Sequence, residues 1–153
     1  MQMQRKIKRV QPIIRMKQQK VDEEAQVLEA IRLKKREVVQ SMKDSQRQYM
    51  EGINQLNQVR KSPTRPNLET LESAVDHVKR RWQKLFVDVQ EIERQEKQQI
   101  AQLLTAEREL KSVEKLKERY EETERQEAQK SEQRTLDEVA LRRFLANVRG
   151  EHT

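Results

Sequence analysis

Apolar residues recur in this chain at alternating spacings of three and four, in two long runs separated by one cluster of helix-breaking residues. A seven-residue hydrophobic repeat of this length is typical of a left-handed coiled coil, because it keeps a narrow apolar seam facing a partner helix. In the first run, one seam row has a single lysine among apolar or aromatic residues: Ile14, Val21, Leu28, Lys35, Met42, Tyr49 and Leu56. The accompanying row is broader and consists of Val10, Ala25, Ile31, Val38, Val39 and Ile53.

The second run keeps the repeat more regularly. One of its rows consists of Leu68, Val75, Trp82, Val89, Glu96, Leu103 and Leu110. The other consists of Leu71, Val78, Leu85, Ile92, Gln99, Ala106, Val113 and Tyr120. The breakers between the runs include Pro63 and Pro66 and favour a single turn, because proline lacks the N–H that a helix interior requires. Asn67 is a good N-cap for the second helix, and Pro12 suits the first turn of the first one.

We therefore predict an all-α fold in which two long helices form an antiparallel coiled-coil hairpin. The pattern places helix 1 at about 12–60, the turn at 61–67 and helix 2 at about 68–148, within a single hairpin that spans residues 1–153. A turn centred near residue 64 means that the numbers of facing residues add up to about 128.

This register also creates a polar layer in the seam. Two basic residues of helix 1 fall opposite two acidic residues of helix 2: Arg32 and Lys35, and Glu93 and Glu96. Ion pairs across the seam would fix the register, as buried polar residues do in other coiled coils. The alternative is that a thin seam simply tolerates exposed charges here.

The two helices have unequal lengths, about 75 Å for helix 1 and about 120 Å for helix 2 at 1.5 Å per residue. Tyr120 pairs with residue 8, and the remainder of helix 2 extends beyond helix 1. Residues 121–135 contain one apolar side chain, Ala128, which is typical of a solvated helix held by charge pairs. Apolar residues then return: Leu136, Val139, Ala140, Leu141, Phe144, Leu145 and Val148. We interpret them as a binding site; the alternative is a frayed tail that packs back on Ile7 and Val10.

Composition excludes most chemical functions. Hydrophobic residues make up 33% of the chain, charged residues 39% and aromatic residues 3%, which is too polar for a globular core around an enclosed active site. The chain has no cysteine, and its two histidines are far apart, so we expect no metal site. With two glycines it has no phosphate-binding loop. We therefore predict no enzymatic activity and no cofactor, and a function that depends on partners.

The charge distribution is asymmetric. Residues 1–21 carry seven basic side chains and no acidic one, which accounts for the whole formal charge of +7. Elsewhere both signs are interleaved, which favours a solvated helical surface over a nucleic-acid surface. Single-strand binding would also need exposed aromatic platforms, whereas Trp82, Tyr49 and Tyr120 occupy seam positions. We predict no nucleic-acid partner.

Residues 126–144 combine a charged run with Leu136-Asp137-Glu138, an apolar pair, Arg142-Arg143 and Phe144. This combination resembles the C-terminal signature of the flagellar FliJ family. The N-terminal part is also similar to the family at residues 10–15, 21–25 and 27–28. This resemblance covers essentially the whole chain and implies a coiled-coil stalk of the flagellar type III protein export ATPase complex, similar to the central stalk of rotary ATPases.

The resemblance also implies partners and contact residues. The end that carries both termini would insert into a hexameric export ATPase and promote its assembly. The implied ring contacts are Leu136, Asp137, Glu138, Val139, Ala140, Leu141, Arg142, Arg143 and Phe144, together with the basic arm Arg5, Lys6, Lys8 and Arg9. The middle of the hairpin would contact a membrane export gate subunit of the FlhA type through exposed residues near Gln46, Tyr49, Val75 and Lys79. Export chaperones are further implied partners.

Other functions fit the same sequence less completely. The chain could be a coiled-coil adaptor or chaperone for export substrates, the equivalent stalk of a virulence injectisome, a basic nucleic-acid binder, or a scaffold that self-associates through its overhang. No apolar run is long enough to span a membrane. The resemblance therefore implies a cytoplasmic protein that reaches the inner face of the cell membrane only through its partners.

Overall fold

The structure, a computed structural model, describes residues 2–64 and 67–151 and confirms the all-α hairpin. Two long helices, α1 (Gln2–Lys61) and α2 (Leu68–Glu151), pack against each other, and no strand occurs in the described ranges. The chain divides into two compact units, which we call the terminal unit (Met1–Val21 with Ala106–Thr153) and the turn unit (Asp22–Thr105). Each unit pairs a segment of α1 with a segment of α2.

Both units show the predicted antiparallel register. In the terminal unit, Lys17 Nζ lies 3.0 Å from Glu109 Oε2. In the turn unit, the rings of Tyr49 and Trp82 stack with their centroids 5.7 Å apart. In both pairs the residue numbers add up to about 128, as a turn near residue 64 requires. The buried apolar residues all lie on the seam rows: Val10, Leu28, Leu56, Val75, Val89, Ile92, Ala106 and Leu110.

The predicted start of helix 1 near residue 12 is wrong, because α1 begins at Gln2 and contains Pro12. The ten residues before Pro12 pack on α2: Gln4 Nε2 donates a 2.9 Å hydrogen bond to Glu124 Oε1, and Val10 is buried. Proline disfavours a helix interior by removing one backbone hydrogen bond. Packing of this segment against α2 outweighs that local cost, since most helix stability in proteins comes from tertiary contacts.

The second seam row of α1 also differs from the prediction. It follows a strict spacing of seven from Val10 and includes Glu24, Ser45 and Gly52, whereas Ala25 is exposed. These positions were missed because their residues are polar or lack a side chain, although the spacing alone would have located them. The α2 rows are confirmed from Leu68 to Tyr120, since every residue of both is buried or half-buried.

The described part of the turn is held by short-range hydrogen bonds. The Ser62 N–H donates to the Val59 carbonyl at 3.1 Å, and the Ser62 hydroxyl donates to the Thr64 carbonyl at 3.2 Å. Asn67 has a φ of 58°, and its carbonyl accepts the first helical bond, from Leu71 N–H at 3.0 Å. Asparagine tolerates this left-handed conformation better than most residues. Arg65 and Pro66 of the predicted turn lie outside the described residues.

Gly52 allows close approach of the two helices in the turn unit. A Cβ added at this position would lie 2.9 Å from Cγ2 of Val75, which is buried. The valine cannot easily move away, because a β-branched side chain has one strongly preferred rotamer in a helix. The absence of a side chain at residue 52 therefore sets the local distance between α1 and α2.

We expect Gly52→Ala to lower the free energy of unfolding by about 1–2 kcal/mol, because overpacking against Val75 outweighs the usual helical preference for alanine. Urea unfolding followed by circular dichroism measures this. Adding Val75→Ala removes the clashing methyl group, so the double variant should lose less stability than the two single changes summed. Gly150→Ala is the control, since nothing lies within 4 Å of its added Cβ. A clear gain in stability from Gly52→Ala alone would contradict this account.

Candidate functional site

The C-terminal part of α2 extends past the start of α1 and forms what we call the overhang, residues 125–151. Near this point a hydrogen bond between the two helices joins Gln4 to Glu124. From residue 125 to residue 147 every residue is exposed, and Val148 is half-buried. The overhang therefore begins a few residues later than the predicted pairing limit at Tyr120, because α1 itself starts earlier than predicted.

The first part of the overhang is a solvated helix supported by local contacts. Arg125 Nη2 lies 2.6 Å from Glu122 Oε2, and Gln133 Nε2 donates a 3.0 Å hydrogen bond to Asp137 Oδ1. Each pair joins residues three or four apart, which are neighbours on a helix surface. These contacts account for a continuous helix between the paired region and the apolar residues that follow.

The apolar residues of the overhang form a strip on one face of α2. Spacings of three and four bring together what we call the apolar strip: Leu136, Ala140, Leu141, Phe144 and Leu145. The four large side chains among them are between 45% and 63% exposed. The alternative that this segment packs back on Ile7 and Val10 is therefore wrong for the described residues. A contiguous exposed apolar strip on a helix without a partner is typical of an interaction surface.

Cationic side chains flank the apolar strip. By helical spacing, Arg143 lies beside Leu136 at one edge, and Arg142 lies beyond Leu145 at the other. Neither guanidinium forms an ion pair with any residue in the ranges 2–64 and 67–151. Both are therefore available to carboxylates of a partner that covers the strip.

The basic arm of α1 belongs to the same terminal unit as the overhang. Lys6 Nζ lies 5.5 Å from the ring centroid of Tyr120, in a cation–π contact across the helix pair. Arg5, Lys8 and Arg9 are exposed. The structure thus places both groups of predicted ring contacts, the arm and the overhang, in one unit.

Comparison with known protein families gives a match over residues 6–149, to the family described as flagellar FliJ protein. The chain belongs to the FliJ family. The match includes both helices and the apolar strip, so it extends over almost all of the described structure. Comparisons with curated proteins and with solved structures returned no match. Membership identifies a flagellar protein related to export and confirms the family resemblance of the sequence.

The predicted gate-contact residues of this FliJ-family chain differ in exposure. Gln46 and Lys79 are exposed, whereas Tyr49 is half-buried by its stacking on Trp82. Val75 is buried against Gly52, so it lacks the exposure that a contact with another protein requires. Its side chain supports the helix pair rather than a surface.

Several exposed apolar residues of the turn unit were not among the predicted contacts, and two of them are adjacent in sequence. Phe86 is 52% exposed and Val87 is 60% exposed. The sequence already indicated that Phe86 is exposed, because an aromatic residue that lies outside both seam rows cannot be buried by the partner helix. The turn unit of this FliJ-family chain therefore carries an apolar surface of its own.

The predicted polar layer is present in part. Glu96 forms ion pairs with both predicted cations, with Lys35 Nζ 3.3 Å from Oε1 and Arg32 Nε 3.5 Å from Oε2. Glu93, the other predicted acid, is exposed and takes no part in these contacts. A second polar contact lies nearby, where the buried Gln99 amide donates to the Glu24 carbonyl at 3.0 Å and to the Glu24 carboxylate. These bonds satisfy polar groups inside the seam.

No group of three metal-ligating side chains occurs within residues 2–64 and 67–151. A hydrogen bond from Arg94 lowers the pKa of Glu91, but both side chains are exposed and form an ordinary surface pair on α2. Neither helix, within these ranges, contains an apolar stretch of the length that a membrane span needs.

Proposed function

We propose that this chain is the stalk of the flagellar type III protein export ATPase complex. In this function, the overhang inserts into the central hole of the hexameric ATPase, promotes assembly of the ring and couples it to the membrane export gate. The observation that carries the proposal is the exposure of the apolar strip. In this FliJ-family chain the strip lies on a part of α2 that no other helix covers within the described residues.

The exposed side chains suit a ring with a mixed inner surface. Leu141 and Phe144 would fill apolar contacts, and Arg142 and Arg143 would pair with carboxylates that line the hole. The basic arm, with Arg5, Lys6, Lys8 and Arg9, would add a second set of charged contacts from the same unit. Bidentate arginine–carboxylate pairs are among the stronger contacts that a protein surface can make.

Ring assembly follows from mass action. A ligand that binds the closed hexamer better than free subunits shifts the equilibrium toward the hexamer by its difference in affinity. We infer that the strip and the arm bind surfaces from more than one subunit, so the assembled ring gains most from the stalk. Changes in the ring during ATP hydrolysis would then shift the stalk, and exposed residues of the turn unit such as Gln46 and Lys79 would meet an FlhA-type gate. Export chaperones would bind the same hairpin.

The proposal is tested by the rate of ATP hydrolysis of the host's flagellar export ATPase. The rate is compared for the ATPase alone, with the full chain, and with a chain that ends after residue 130. We expect the full chain to stimulate hydrolysis and the truncated chain to give the rate of the ATPase alone. The melting temperature should be almost unchanged by truncation, because the removed residues up to 147 are exposed and contribute little packing.

Other results would assign the contact or the function differently. Equal stimulation by both chains would place the ring contact on the basic arm and not on the apolar strip. No stimulation by either chain would overturn the stalk function and favour an adaptor or chaperone that acts without changing the ATPase rate.

A further inference from the structure

The first three heptads of α1 present a basic face on the side away from α2. By heptad spacing its positions hold Arg5, Lys8, Arg9, Pro12, Arg15, Met16 and Gln19, and all seven residues are exposed. We call this set the basic face. It contains four cations and no acidic residue, and the first acidic residue of the chain is Asp22.

These four cations differ from their neighbours on the seam side. Lys17 pairs with Glu109 at 3.0 Å, and Lys6 lies over the ring of Tyr120, so α2 already engages their charges. Arg5, Lys8, Arg9 and Arg15 form no ion pair with a residue in the described ranges. Their charges are therefore accessible to a partner outside this fold.

Apolar side chains accompany the cations. Met16 is 70% exposed and lies among the basic positions, and Ile13 is exposed at the edge of the same face. A helix that carries cations around exposed apolar side chains is suited to the boundary between lipid headgroups and acyl chains. Anionic headgroups attract the charges, and the thioether of Met16 can enter the apolar layer.

We propose that the basic face binds directly to an anionic lipid surface, with α1 lying along the membrane plane. A nucleic acid would offer the same negative charge, but it would leave Met16 and Ile13 without an apolar environment. Residues 2–21 also contain no aromatic side chain on which bases could stack. Arg5, Lys8 and Arg9 are also proposed ring contacts, so the lipid-bound and ring-bound forms of the chain are alternatives. The proposed membrane contact is direct, whereas the stalk function reaches the membrane only through protein partners.

The test uses the purified full chain and sedimentation with vesicles of phosphatidylcholine, with or without phosphatidylglycerol. We expect binding only to the vesicles that contain the anionic lipid, and binding that weakens as salt is added. Arg5→Gln, Lys8→Gln, Arg9→Gln and Arg15→Gln combined should weaken it by about six-hundred-fold, since each cation near an anionic surface contributes about five-fold.

A matched variant distinguishes the effect of losing the basic face from the effect of losing the same net charge elsewhere on the chain. Lys34, Lys43, Arg47 and Lys84 are also exposed cations that form no ion pair within the described part of the chain, and changing all four to Gln removes the same charge. This control should lower vesicle binding only a few-fold. If both quadruple variants lose binding equally, the basic face has no special role and the proposal is overturned.

Met16→Ser distinguishes lipid from nucleic acid. We expect it to weaken vesicle binding about five-fold, because it removes an apolar side chain that enters the membrane. It should leave binding to a DNA duplex unchanged, because phosphate contacts depend on charge. Binding to the duplex but not to anionic vesicles would overturn the proposal in favour of a nucleic-acid surface. The ATPase is absent from these assays, so their failure and failure of the stalk function are distinguishable.

Discussion

Replacing Leu141 and Phe144 together with serine should abolish stimulation of the export ATPase by this chain. The side chains are 57% and 63% exposed, so the change removes little packing within the chain. An apolar side chain that becomes fully buried in a partner contributes about 1.5–3 kcal/mol. The double change should therefore weaken binding to the ring by about a hundred-fold or more. Titration of the ATPase with the variant, at fixed ATP, measures this loss.

The chain offers a closely matched control for this experiment. Leu33 and Phe86 are the same residue types, with exposed fractions of 53% and 52%, and both lie in the turn unit. The double change Leu33→Ser with Phe86→Ser should leave stimulation intact, because these residues are outside the overhang. Equal losses in both variants would show that general surface hydrophobicity, and not the apolar strip, drives the effect. Full stimulation by the Leu141 and Phe144 variant would also contradict the prediction.

Replacing Lys35 and Glu96 together with leucine should raise the free energy of unfolding by about 1–3 kcal/mol, since apolar residues often stabilise a site formerly held by an ion pair. The same change should weaken the choice of register, because a uniform apolar seam allows the helices to slip by a heptad. Glu96→Leu alone should be destabilising, since it leaves Lys35 at a seam position without its carboxylate.

The single tryptophan of the chain reports on slippage. Trp82 stacks on Tyr49 in the native register, and a slip of one heptad moves the tyrosine away by about 10 Å, which changes the fluorescence of the indole. Light scattering detects chains that pair with each other. A double variant that is less stable than the parent would contradict the expected gain in stability. Native fluorescence and a single monomeric mass would show that the polar layer does not determine the register.

Much of the hairpin could be predicted because the apolar period of α2 is long and nearly uninterrupted. Even the polar members of its rows, Glu96 and Gln99, occur at the expected spacing and lie in the seam. In α1 the same method failed where the seam uses Glu24, Ser45 and Gly52, because a search for apolar residues cannot recognise them. Gly52 in particular has a role only through its neighbour Val75, which lies on the other helix.

The candidate site was predictable for a similar reason. Counting residues from the turn shows that the strip around Leu141 and Phe144 has no partner in the chain, and the structure leaves both side chains exposed. The gate contacts were harder to predict from the sequence, because an exposed contact residue does not recur at a fixed spacing. Val75 follows the seam period and is buried, whereas Phe86 departs from it and is exposed.

The sequence by itself determined the two helices, their single turn, their antiparallel order and the apolar strip, because each depends on local periodicity or on chain length. Only the tertiary structure decided where α1 begins. Pro12 disfavours a helix in this segment, but contacts with α2, such as the hydrogen bond from Gln4 to Glu124, stabilise it. It also decided which cations the fold engages, pairing Lys17 with Glu109 and leaving Arg9 on the opposite face. Both depend on which atoms meet across two helices, and the spacing along one helix does not contain that information.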